Sequence, residues 1–125
     1  MSRILVADDD PVGRELIREI LESQGYQVTE ADDGADALAA IQANAPDLVL
    51  LDIQMPVLDG FGVIQALRRD ERFHALTVLA LTAFAMRGDR EKAMAAGFDG
   101  YIAKPINVPV FRELIRQALG QGGLD

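Results

Sequence analysis

Leu48-Val49-Leu50-Leu51-Asp52-Ile53-Gln54-Met55-Pro56 is the stretch from which the rest of the chain can be read. Its run of aliphatic residues, without polar alternation, describes a strand buried on both faces, as in parallel sheets covered by helices. The run ends at Asp52. A carboxylate at the end of a buried strand is costly unless something there pairs with it or needs it. Pro56 cannot continue a ladder, so the chain turns away and leaves Asp52 at the carboxyl edge. In open α/β sheets ligands bind at that edge. Asp52 is therefore expected to be the reactive group.

Upstream, Ile4-Leu5-Val6-Ala7 is a short apolar run that stops at Asp8-Asp9-Asp10. Pro11 suits the first position of a helix, with Asp10 as its N-cap. Leu16, Ile17, Ile20 and Leu21 are expected on that helix's packing face, and Gly25 ends it. Tyr26 to Ala31 alternates like a strand and runs into the turn Asp32-Asp33-Gly34; Ala35 to Ala45 is alanine-rich and helical, closed by Pro46.

Downstream, Asp59-Gly60 marks a turn, and Phe61, Ile64 and Leu67 supply the next helix's inner face. Leu76 to Leu81 is a second aliphatic strand, ending in Thr82. Arg87 to Ala96 is helical by composition, and Gly97 ends it. Tyr101-Ile102-Ala103 is a short strand before Lys104-Pro105. Val110, Phe111, Leu114, Ile115, Ala118 and Leu119 repeat at helical spacing in the last helix. Strands alternating with helices imply a parallel sheet covered on both faces, because each parallel connection needs a crossover. No internal boundary is visible: residues 1–120 are expected to form one domain, and 121–125 a flexible tail or the start of a linker.

Composition narrows the functional classes. The 125 residues suffice for one domain with a real core. Twenty acidic against twelve basic side chains give a net charge of −8, which argues against direct nucleic-acid binding. There is no cysteine, so disulfides and thiolate metal sites are excluded. No apolar run is long enough to span a bilayer and the first residues do not read as a signal peptide, so the expected location is cytoplasmic, away from membranes.

If all the strands are parallel, Asp8, Asp9, Asp52, Thr82 and Lys104 arrive at one rim. Each has an ordinary explanation alone: a solvated capping turn, a strand threonine, a surface lysine. Their coincidence points to a site. Crowded carboxylates repel, so a cation is expected among them. Carboxylate, backbone carbonyl and water ligands suit Mg²⁺, which binds beside substrate phosphates. Asp52 would then attack phosphorus as an aspartyl nucleophile. Mg²⁺, Lys104 and the Thr82 hydroxyl would face the oxygens of the transferring group.

The segments ILVADDD, LLDIQMPVLDG, LALTA and YIAKP, in this order, resemble the response-regulator receiver domain over essentially the whole chain. The resemblance implies a flavodoxin-like three-layer α/β fold, a five-stranded parallel sheet in the order 2-1-3-4-5 with five helices. By the same resemblance Asp52 is the phosphoacceptor, and Asp8 and Asp9 bind Mg²⁺ with the backbone carbonyl of Gln54. Thr82 and Tyr101 are the switch pair, Lys104 contacts phosphate, and the peptide before Pro105 is cis. The implied function is a two-component phosphoprotein, not an enzyme acting on other molecules. A histidine kinase or histidine phosphotransfer protein would supply its phosphoryl group, and a downstream protein effector would read the result. No effector segment is visible, so a stand-alone receiver is expected.

Gln54 and Phe84 occupy positions that, in the family, flank the path of the hydrolytic water. An apolar Phe84 offers nothing to orient that water, so slow self-dephosphorylation is expected. The helix at Arg87–Ala96 offers few apolar groups and is expected to be the mobile, partner-facing element. His74 reads as a surface residue. Competing readings are a non-phosphorylated interaction module on the same fold, an aspartate-nucleophile phosphohydrolase using Asp8 and Asp10, and a flavin carrier. The last lacks a phosphate loop after the first strand.

Overall fold

The computed structural model describes residues 2–55, 57–83 and 88–120; Phe84 and the expected tail at 121–125 lie outside them. The elements are β1 (Arg3–Ala7), α1 (Pro11–Ser23), β2 (Gln27–Ala31), α2 (Gly34–Ala43), β3 (Leu48–Asp52), α3 (Gly60–Arg69), β4 (Val78–Thr82), α4 (Asp89–Ala96), β5 (Gly100–Ala103) and α5 (Val108–Ala118). The five strands form one sheet in the order β2-β1-β3-β4-β5, with every neighbouring pair parallel. Order and direction agree with those implied by the sequence.

The pleat divides the aliphatic runs between two cores, since alternate residues point to opposite faces. Leu5, Ala7, Val49, Leu51, Val78 and Ala80 face one side, where Ile41, Val63, Ile64 and Leu67 cover them from α2 and α3. Ile4, Val6, Leu48, Leu50, Leu79 and Leu81 face the other, against Ile17, Ile20 and Leu21 of α1 and Phe111 and Ile115 of α5. This is why β3 shows no alternation: every one of its residues is buried, Asp52 included.

The helical faces are narrower than their sequence patterns suggest. Leu16 was expected to pack but is 50% exposed, and Val110 and Leu114 are also exposed. A 3.6-residue period identifies a stripe, but the stripe's buried width depends on how close the sheet lies. The helix expected over Arg87–Ala96 runs Asp89–Ala96, with Arg87 outside the described residues. Gly88 and Gly97 bound it with φ of 89° and 114°, the left-handed region where a side chain would be strained.

At the amino edge of the sheet Arg68 ties two loops together, the one before β4 and the one before β5. Its guanidinium donates to the carbonyls of Phe73, His74, Leu76 and Gly97 and to the carboxylate of Asp99, which also accepts from the Val78 N–H. His74 is exposed, as expected. Among the described residues no helix is long and apolar enough to cross a membrane.

Candidate functional site

The register places the chemistry. Ala7 stands beside Leu51, Asp52 beside Leu81, and Thr82 beside Ala103. The residues that follow these strand ends therefore meet at one notch. Each loop then leaves by a locally encoded turn. Asp10 caps α1 through the Val12 N–H at 3.2 Å, with Pro11 in the first helical turn. The Asp52 carboxylate accepts from the Gln54 N–H at 2.8 Å, turning the chain out of β3. Asp59 caps α3 through the Gly62 N–H. Gly60 packs so tightly against the end of β3 that an added Cβ would lie 2.6 Å from the Asp52 carbonyl oxygen. Contact this close requires glycine.

The Lys104 ammonium lies between two carboxylates, 2.5 Å from Asp8 Oδ2 and 3.2 Å from Asp52 Oδ2. The peptide linking Lys104 to Pro105 is cis, as the resemblance implied. Asp8 is completely buried, and Asp52 and Thr82 nearly so. Asp9 is exposed at the mouth, where an open recess of about 590 Å³ is lined by Asp9, Ile53, Gln54, Met55, Asp59 and Phe61.

Burial pushes the Asp52 carboxyl up to about 6, and the charge of Asp8 adds to this; the Gln54 N–H and the Lys104 charge oppose it. Burial works against the Lys104 ammonium. Its hydrogen bond to Asp8 and the charges of Asp52 and Asp8 outweigh that effect and raise its pKa.

Asp8, Asp9 and Asp52 each bring a carboxylate oxygen within 4.8 Å of the others. Hard oxygen donors in such a cluster suit Mg²⁺, and a single lysine leaves their combined charge uncompensated. The donor set therefore fits that ion. Asp10 is not one of these three and serves as the cap of α1. A second acidic group, Asp32, Asp33 and Asp36, belongs to the start of α2, where Asp33 caps the Asp36 N–H.

Tyr101 packs partly against the core beneath α3 and α4. Its hydroxyl is buried and makes no hydrogen bond of ordinary geometry among the described residues. Burial raises its pKa and the Asp89 carboxylate adds to this, while nearby Thr82 pulls it the other way. The ring is thus folded inward.

Sequence reasoning missed Arg14. Its guanidinium donates to the Asp8 carbonyl oxygen at 2.6 Å and to Glu30 at 2.8 Å. The spacing from Asp8 to Arg14 hints at the first contact, but only the pairing of β1 with β2 brings Glu30 alongside.

Fold and notch together define a two-component signalling domain. The chain belongs to the response regulator receiver domain family, whose description matches residues 4–116. It is 38% identical over 117 residues to the polar-differentiation response regulator DivK of Brucella ovis, covering 94% of this chain and 95% of the relative. Among solved structures it resembles the receiver domain of a sensor histidine kinase from Pseudomonas aeruginosa PAO1, determined with a magnesium ion coordinated in its active-site cleft. The TM-score is 0.88 and the identity 34%, covering 95% of this chain and 98% of that one. The chemotaxis protein CheY4 of Vibrio cholerae superposes with a TM-score of 0.87 at 29% identity, covering 94% and 98% of the respective chains.

Proposed function

We propose that this receiver is a phosphoacceptor whose nucleophile is Asp52, supplied by a histidine kinase or a histidine phosphotransfer protein. The observation that carries the reading is the Lys104 ammonium held between the buried Asp8 and Asp52 carboxylates beside the exposed Asp9. In the transfer an Asp52 carboxylate oxygen forms a bond to phosphorus as the phosphorus–nitrogen bond of the donor phosphohistidine breaks. The electron pair leaves with the imidazole, which takes a proton from solvent. Asp8, Asp9, Asp52 and the Gln54 backbone carbonyl would hold Mg²⁺, which supplies charge neutralisation for the developing phosphoryl oxygens. Lys104 holds its charge next to the acceptor oxygen, and Thr82, at the adjacent strand end, offers a hydroxyl donor. With Asp52 nearly buried, bulk water has poor access to the acyl phosphate.

The product carries roughly one to two negative charges in phosphate form, with strong acceptor oxygens, where a single carboxylate stood. Drawing the Thr82 hydroxyl toward them alters the surroundings of the Tyr101 hydroxyl and favours one placement of that ring. A groove lined by Arg90, Asp99, Tyr101, Leu114 and Gln117 begins at the same tyrosine, which supports a protein effector reading β5 and α5. Gln54, exposed at the recess, and Phe84 are the rate-tuning positions, and apolar Phe84 makes self-dephosphorylation slow. Residues 1–120 form the receiver unit, and it works in the cytoplasm.

Incubation with Mg²⁺ and a small acyl phosphate, followed by intact mass measurement, should add one phosphoryl group to the protein and none to Asp52→Asn. Equal labelling of both proteins would refute the assignment of Asp52.

A further inference from the structure

Arg14 stands in the first turns of α1 with a side chain only 17% exposed, although it contacts neither of the carboxylates nearest Lys104. Its terminal nitrogen donates to the Asp8 carbonyl oxygen at 2.6 Å and its Nε to Glu30 at 2.8 Å. Arg18 holds the other Glu30 oxygen at 2.6 Å. The hydrogen bond from Arg14 keeps the Glu30 carboxyl below its usual pKa, despite partial burial.

Asp8 is thereby held at several points. Its N–H donates to Ala31 O on β2, and one carboxylate oxygen accepts from the Asp10 N–H. Its carbonyl is held by Arg14, which is held in turn by β2 through Glu30. A peptide unit is planar, so fixing the Asp8 carbonyl also fixes the N–H and Cα of Asp9. Asp8 and Asp9 are the neighbouring acids of the three-carboxylate cluster.

We infer that Arg14 is a positioning residue: clamped by Glu30, it sets the Asp8–Asp9 peptide so that both carboxylates face one cation. The inference rests on the reading that this notch holds Mg²⁺. Groups that orient metal ligands from behind change affinity by roughly tenfold or more when removed. Charge alone predicts the reverse, since deleting a cation near an acidic cluster strengthens the attraction for Mg²⁺.

Calorimetric titration of the metal-free protein with magnesium chloride at constant ionic strength separates the two. Arg14→Met should weaken Mg²⁺ binding by about tenfold. Arg14→Lys should weaken it as well, because one ammonium cannot reproduce a planar fork spanning the Asp8 carbonyl and Glu30. In metal-free Arg14→Met the amide protons of Asp9 and Asp10 should also exchange faster. Mg²⁺ binding by Arg14→Met as tight as in the unmodified protein, or tighter, overturns the inference. If that variant does not fold, unchanged affinity in Arg14→Lys overturns it equally. Failure of the unmodified protein to bind Mg²⁺ would instead remove the metal reading, and the inference with it.

Discussion

Asp52 is a carboxylate buried at a strand end, and its pKa shows the conflict between charge and burial. Burial raises the carboxyl to about 6, against roughly 3.9 for an unfolded aspartate. Between those values the folded protein binds more protons than the unfolded one, so stability falls as pH rises through the window. Metal-free Asp52→Asn avoids ionisation while keeping one oxygen to accept from the Gln54 N–H, and Lys104 retains Asp8 as its partner. Allowing for screening by water at the open mouth, it should be more stable than the unmodified protein by ~1–2 kcal/mol at pH 7. Below about pH 4 the difference should close. Denaturant titrations in chelator at the two pH values check this; a less stable variant at neutral pH would contradict it. Neighbouring Lys104 offsets part of the repulsion between Asp8 and Asp52, since it shares its charge between the two acids.

At the scale of elements, the two carboxyl-terminal helices differ in how firmly they are anchored. α5 buries Phe111 and Ile115 beneath the sheet and is capped by the Asn107 side chain. α4 buries only Ala93, leaves Met94 42% exposed and has no side-chain cap. With little apolar area removed from water, local opening of α4 costs less free energy. Its backbone amides should exchange with solvent at least tenfold faster than those of α5, an opening difference of about 1.4 kcal/mol. Exchange followed by mass spectrometry is the check, and equal protection of the two helices would remove the argument. This weakness was legible in composition, which offered α4 little beyond alanine and one methionine. The Arg68 stitch was not legible. Its acceptors are loop carbonyls on both sides of β4 and the carboxylate of Asp99, and no local pattern marks them as partners.

At the scale of the whole molecule, the chain carries a net charge of −8, and three of its carboxylates converge on one sheet edge. An ion bound only by the folded chain stabilises it by mass action, about 2.7 kcal/mol at a concentration one hundred times the dissociation constant. Mg²⁺ should therefore raise the unfolding midpoint at pH 7, and much less at pH 4, where protons compete for the same carboxylates. Thermal unfolding with and without the ion measures this; equal midpoints at pH 7 would count against Mg²⁺ in the notch. The amino-acid order by itself determined the strands, the helices and the parallel architecture, because burial on one or two faces leaves periodicities of two, 3.6 or none. It also marked Asp8, Asp9, Asp52, Thr82 and Lys104 as strand-end residues, since parallel strands share one carboxyl edge. Only the tertiary structure decided that Leu16, Val110 and Leu114 stay exposed, that the Tyr101 ring lies inward, and that Arg14 reaches behind Asp8 to Glu30. Those outcomes depend on distances between elements far apart in the chain, and a local pattern carries no information about them.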